Sequence, residues 1–331
     1  MCPDDPTQAL LTVSDLHVRF TKGGHTVQAV SGIGFSMREG ETLGLVGESG
    51  CGKSTAGRAI AQVIKPTSGS VVLGDVELTS CSPRALRRER TRLQMVFQDP
   101  ISSLNPRRRV RDIVAEPLDI WGSAKGPERT RIVNEMLEAV GLDPELAGPS
   151  YPRQFSGGQC QRISIARALV MRPKVLICDE MVSALDVSVQ AQILNLVEDL
   201  KASYGLTVLF IAHDLAVVKN VSDRVAVMYL GRLCEVATAE ELYRSPRHPY
   251  TNALLASVVE PDVTIERRHA PLQGEPPSPL DPPSGCRFRT RCPSAQDRCA
   301  AEVPELRELE PGHTVACHFP VSIRPTTQVA A

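Results

Sequence analysis

Apolar and β-branched residues crowd two early runs, LLTVSDLHVRF and VQAVSGIGFSM, within about residues 10 to 36, and the turn-like KGGH separates them. Such runs joined by glycines predict a β-hairpin. TLGLVG (42–47) is apolar without alternation, as a strand buried on both faces would be, and it leads through glycine-rich sequence into the helical pattern KSTAGRAIAQVI. From about 99 to 170 the periodicity is mainly helical, with breaks at Pro106, Gly122, Pro127 and the PSYPR stretch. This segment predicts a helical insertion. KVLICDE (174–180) and LTVLFIAHD (206–214) return as buried strands on either side of a helical pattern from 187 to 204, the mark of parallel βαβ organisation. RVAVMYLG and RLCEVA add a final pair of strands. After a helical stretch ending near Val259, residues 271–283 hold six prolines in thirteen positions and can be neither helix nor central strand. The pattern predicts a main α/β domain, 1–258, and an extension, 259–331, whose cysteine-bearing tail after 283 stands apart.

Composition changes this picture little. At 331 residues, 42% hydrophobic and 23% charged, the chain suits a soluble globular protein with a sizeable core. A net charge of −1 supplies no broad attraction for nucleic acid, and the basic runs RALRRER (84–90) and RRRVR (107–111) read as solvated faces. MCPDDPTQALL lacks a basic region followed by an apolar stretch, and runs such as LTVLFIA are far short of a membrane span, so a cytosolic chain is expected. Ten cysteines in that compartment point to metal or chance more than to disulfides.

The chemistry is concentrated in a few motifs. GESGCGKST (47–55) fits the phosphate-loop pattern between a strand and a helix, so the loop from Ser49, Gly50, Cys51 and Gly52 to Lys53, Ser54 and Thr55 would cradle phosphates. Lys53 would reach the β- and γ-phosphates and Ser54 would offer its hydroxyl to Mg²⁺. VLICDE ends a buried strand in two carboxylates: Asp179 suits Mg²⁺, through its water, and Glu180 suits the attacking water, unless the pair merely caps the next helix. Gln98 and His213 also follow apolar runs and could face the same edge, while Phe20 could stack on a base or belong to the core. FSGGQCQR (155–162) places Ser156, Gly157, Gly158 and Gln159 ahead of the helical run ISIARAL, a second place for an anion. Cys286, Cys292, Cys299 and Cys317 follow the proline-rich stretch with spacing C-x5-C-x6-C-x17-C. Four thiolates could hold structural Zn²⁺ or an iron–sulfur cluster, and the spacing selects neither. A short tail would need such a staple.

Taken in order, GESGCGKST, FQDP, FSGGQ, VLICDE, SALD and IAHD resemble the ABC-type ATPases over about residues 10 to 258. The resemblance implies a P-loop ATPase with a RecA-like mixed β-sheet core, an antiparallel β subdomain, a helical subdomain at about 99–170, and here a small Cys-rich C-terminal extension. It makes Gln98 the Q-loop glutamine and a Mg²⁺ ligand, Ser156 to Gln159 the signature, Asp186 the D-loop aspartate, His213 the switch histidine and Phe20 the adenine-stacking residue. In that family two ATPases face head to tail, so FSGGQ would complete the partner's ATP site. QDPISSLNPR, YPRQFSGGQCQR, SALDVSVQAQILNL, RHPYTNALLASV and PPSGCRFRTRCP further resemble ATPase subunits of bacterial oligopeptide and dipeptide importers, the F-type more than the D-type. This implies ATP hydrolysis on the cytoplasmic face of the inner membrane, a second ATPase, two permeases and an external peptide-binding protein as partners, and a [4Fe-4S] cluster rather than zinc on the four cysteines. Import of nickel or another small solute, or a soluble role on DNA or ribosomes, is the alternative. Two departures from the family pattern are Met181-Val182 after the second carboxylate and Cys160 after the signature.

Overall fold

The computed structural model describes residues 9–256 and 274–321, so the boundary expected near 259 and the start of the proline-rich stretch lie outside the described residues. Strands β1 (Ala9–Lys22) and β2 (His25–Arg38) form the predicted hairpin, and Gly23 and Gly24, both at positive φ, turn it. β3 (Thr42–Val46) leaves this pair for the main sheet, whereas β4 (Ser68–Leu73) and β5 (Val76–Glu77) complete an antiparallel sheet in the order β2-β1-β4-β5.

The remaining strands are β6 (Leu93–Val96), β7 (Val175–Asp179), β8 (Thr207–Ile211), β9 (Arg224–Tyr229), β10 (Arg232–Thr238), β11 (Arg307–Glu310) and β12 (His313–Val315). With β3 they build an eight-stranded sheet in the order β11-β12-β10-β9-β3-β8-β7-β6. From β9 to β6 the neighbours are parallel. Every residue of β3, β7, β8 and β9 is buried, which is why these segments read as unbroken apolar runs. Register has a direct consequence for the site: Leu45 lies beside Ile211, Ile211 beside Asp179, and Cys178 beside Val96. The carboxyl ends of four strands therefore share one edge.

Between β6 and β7 the helices run from Pro100–Ser103 to Gly157–Leu169, as the periodicity predicts. The sequence breaks fall at their ends: Gly122, at φ 64, caps Glu116–Trp121, and Pro127 sits in the first turn of Gly126–Ala139. Met181, Val182 and Cys160, the departures from the family pattern, are core residues, exposed by 1%, 5% and 2%.

The tail departs from expectation, because it does not stand apart. β12 pairs antiparallel with β10, matching Val315 to Glu235 and Thr314 to Val236, and β11 adds outside it. Phe288 packs edge-on against Tyr229 at 5.2 Å between ring centroids and lies 5.3 Å from Tyr250. Beneath them the fully buried Glu235 accepts the backbone N–H of Arg247 (2.6 Å) and of His248 (2.9 Å) and lies 2.7 Å from His313 Nε2. A buried carboxylate with three partners is a stable seam. Phe288→Ala is expected to remove about 3 kcal/mol of packing and open residues after 283 to limited proteolysis while the parallel sheet survives. A tail that resists protease as before would show that Phe288 does not secure it.

Candidate functional site

The phosphate loop begins where β3 ends, and its glycines are set by crowding as well as by conformation. A Cβ on Gly47 would lie 2.1 Å from the Met228 carbonyl oxygen, and one on Gly52 would lie 2.2 Å from that of Ala29. No side chain fits at either position. Ser49 and Gly50 are exposed at the tip, Cys51 is buried, and the helix Lys53–Ile60 starts directly after Gly52. Burial pushes the Cys51 thiol up, so it is a packing residue rather than a thiolate. Lys53 is only 3% exposed; its Nζ donates to the carbonyls of Gly47 (2.7 Å) and Glu48 (3.1 Å) and stands 3.7 Å from Glu180 Oε1. The ammonium is buried but paired.

Asp179, the last residue of β7, is fully buried. Burial pushes its carboxyl up, opposed by a hydrogen bond from Ser54 and by Arg58, whose Nη2 lies 3.4 Å from Oδ2. Oδ1 has no hydrogen-bond partner. An orphaned carboxylate oxygen beside a serine hydroxyl is an oxygen-only donor set of the kind Mg²⁺ and its waters take, so these residues fit the ion.

One residue on, Glu180 holds φ at +48°, in the left-handed region that only a constrained non-glycine occupies. Its N–H donates to Ile211 O (3.0 Å), and its carbonyl accepts from Ser183 N–H (3.2 Å) and Oγ (2.9 Å). That turn aims a largely covered carboxylate across the strand ends. Oε1 faces Lys53; Oε2 accepts from Gln98 Nε2 at 3.0 Å and lies 3.9 Å from His213 Nδ1. Residues following β3, β6, β7 and β8 thus meet on one acid.

The other expected residues lie elsewhere. Ser156 caps the helix Gly157–Leu169 and shares a reciprocal pair of bonds with Gln159, at 3.3 and 2.9 Å. A Cβ on Gly158 would come within 2.5 Å of Val189 Cγ1, so this helix start lies against that of Val187–Tyr204, whose cap is the exposed Asp186. Among the described residues no hydrogen bond or ion pair links Ser156–Gln159 to the phosphate loop. Phe20 is 43% exposed near the end of β1, a ring open to solvent rather than core. Arg58, Tyr250 and Arg291 escaped the sequence reading: the first meets Asp179, and the other two meet Glu48 from far along the chain. No local pattern marks such distant contacts.

Cys286, Cys292, Cys299 and Cys317 line one cavity with a free volume of about 10 Å³, and all four are free thiols. Burial, and then the neighbouring cysteines, push Cys317 up to about 12. As they stand, no three His, Cys, Asp or Glu side chains among the described residues are grouped to hold a metal ion.

Comparison with known proteins gives the family. Residues 30–183 match the family described as ABC transporter, and residues 234–299 match the oligopeptide/dipeptide transporter C-terminal region. The chain is 53% identical over 316 residues to the putative oligopeptide transport ATP-binding protein YkfD of Bacillus subtilis, covering 94% of this chain and 95% of that one. It is 52% identical to the oligopeptide transport ATP-binding protein AppF of the same organism, over 88% and 90% of the two chains. Among solved structures, the ATP-binding cassette MJ0796, a dimer in a post-hydrolysis state with ADP and Pi, superposes with a TM-score of 0.63 at 28% identity, over 69% of this chain and 98% of that one. Gly47→Ala is expected to weaken nucleotide binding about tenfold or more, the cost of driving a methyl into a backbone carbonyl. Titration with a fluorescent nucleotide measures it, and an unchanged affinity would mean that the loop relaxes freely.

Proposed function

The chain belongs to the ABC transporter ATP-binding proteins, ATPases of the peptide-import kind, and from that premise we propose that it drives peptide uptake by hydrolysing ATP at the Glu180 edge of its sheet. The observation that carries this reading is the meeting of Lys53, Gln98 and His213 on one carboxylate at a strand end. The loop amides from Ser49 to Thr55 bind the phosphates, Phe20 stacks on the base, and Lys53 turns from its carbonyls to the β- and γ-phosphates. Ser54 and Asp179 would hold Mg²⁺, with Gln98 beside them, and the bound ion would supply charge stabilisation to the phosphate oxygens. Glu180 orients the attacking water and takes its proton as the new oxygen–phosphorus bond forms. The bond between the β,γ-bridging oxygen and the γ-phosphorus breaks, and its electron pair leaves on that oxygen with ADP. His213 bonds the γ-phosphate and registers its loss.

Ser156, Gly157, Gly158 and Gln159, held away from the loop of their own chain, serve the nucleotide of a facing ATPase, with Asp186 at the same seam. A dimer that closes on ATP and opens after hydrolysis follows from such a split site. The partner is a second, non-identical ATPase; the pair docks from the cytoplasmic face on two permeases, and an external peptide-binding protein delivers the solute. Among the described residues no helix is long and apolar enough to cross a membrane. The names of the relatives favour peptide over nickel or another small solute. The four tail thiols line one cavity but are not grouped as a metal site where they stand; drawn together, they would be the ligands of a [4Fe-4S] cluster, with zinc the other occupant their chemistry allows.

Glu180→Gln is expected to keep ATP binding and lose turnover by about 100-fold or more, while Lys53→Ala loses binding. Near-normal hydrolysis in the first variant would remove Glu180 from its role. With ATP, the Glu180→Gln form should capture two permeases and a second ATPase from detergent-solubilised native membranes. Ribosomes or DNA-bound proteins in their place would leave the motor correct and its machine wrong.

A further inference from the structure

Glu48 occupies a position that the phosphate-loop pattern leaves open to any residue, yet here it is held at three points. Its N–H donates to the Tyr250 hydroxyl at 2.9 Å, its carbonyl accepts from Lys53 Nζ at 3.1 Å, and its carboxylate receives both Nη atoms of Arg291 at 2.6 and 3.1 Å. The last is a two-pronged ion pair, the geometry in which arginine is most directional. Arg291 comes from the segment joined to β10 through β12, and its side chain is only 4% exposed. Its Nη1 also lies 3.5 Å from the Tyr229 hydroxyl, and its guanidinium stands over the Tyr229 ring at 5.9 Å. Tyr229 in turn packs edge-on against Tyr250 at 4.6 Å, so both contacts on Glu48 rise from one aromatic cluster.

The carbonyl that the Lys53 ammonium leans on belongs to the residue whose carboxylate Arg291 grips. A shift of Glu48 therefore moves the loop backbone and the lysine together. Since Glu48 is a quarter exposed, release of its carboxylate would let the side chain swing to solvent rather than find a new buried partner.

We propose that Arg291 is a positioning residue for the nucleotide site: by clamping Glu48 it holds the phosphate loop in binding geometry, and so makes ATP affinity depend on the C-terminal segment. The proposal rests on the ATPase reading above.

The test compares wild type with R291M, R291K, E48Q and the E48Q/R291M double variant of the full chain. A fluorescent ATP analogue gives Kd, and steady-state hydrolysis separates KM from kcat. R291M should raise Kd and KM about tenfold, as expected for loss of a charged hydrogen-bonded pair, with a smaller change in kcat. R291K should recover part of the loss. E48Q, which leaves the tail's own packing intact, should raise KM likewise, and the double variant should be no worse than the more severe single one. Kd and KM within twofold of wild type in both R291M and E48Q would overturn the proposal, as would effects that add in the double variant. Wild type that binds no nucleotide would instead sink the ATPase reading.

Discussion

The parallel register of β3, β8, β7 and β6 is the constraint on which the site depends. Neighbouring strands that start together and run the same way must also end together, and here the ends carry a phosphate loop, an acid pair, a histidine and a glutamine. No one of these groups needs a long reach. Shift β7 by one residue and its alternation would turn Asp179 from one face to the other, taking Glu180 with it. Burial on both faces guards against that slip, since each strand is packed by helices on one side or the other; a Cβ on Gly57 would lie 2.5 Å from Ile211 Cδ1, which shows how closely Lys53–Ile60 lies on β8.

The price of the arrangement is electrostatic. Lys53 and Asp179 are both buried, each would be costly alone, and each has its opposite charge beside it in Glu180 and Arg58. The pairs differ in use: Asp179 keeps one oxygen without a partner, whereas the Lys53 ammonium rests on two backbone carbonyls that a phosphate could replace. The left-handed backbone at Glu180 adds a local strain of about 1 kcal/mol or more. Its neighbours Ile211 and Ser183 hold it in place through backbone bonds.

Much of this was readable in the residues. Unbroken apolar runs marked the buried parallel strands, glycine and proline marked the helix ends, and GESGCGKST marked its own loop because a phosphate cradle tolerates few spellings. What escaped notice lacked local periodicity. β11 reads RELE and is exposed at every position, and β12 is three residues long, so neither gives the alternation that betrays a strand. The proline-rich stretch suggested a detached tail, but proline limits helix and central strand only; it does not prevent the chain beyond it from returning to a sheet edge. Arg291 and Tyr250 meet Glu48 across more than two hundred residues, a distance over which spacing carries no information.

That returning chain also changes what the molecule presents to its surroundings. Without β12, β10 would offer a row of open backbone donors and acceptors beside residues that are almost all buried, an inviting template for strand addition by another copy. With β12 and β11 in place, the outermost strand is short and carries Arg307, Glu308 and Glu310, all exposed. Charge and brevity blunt that edge, so the same short hairpin, residues 307–315, that completes the sheet protects the chain against sticking to itself.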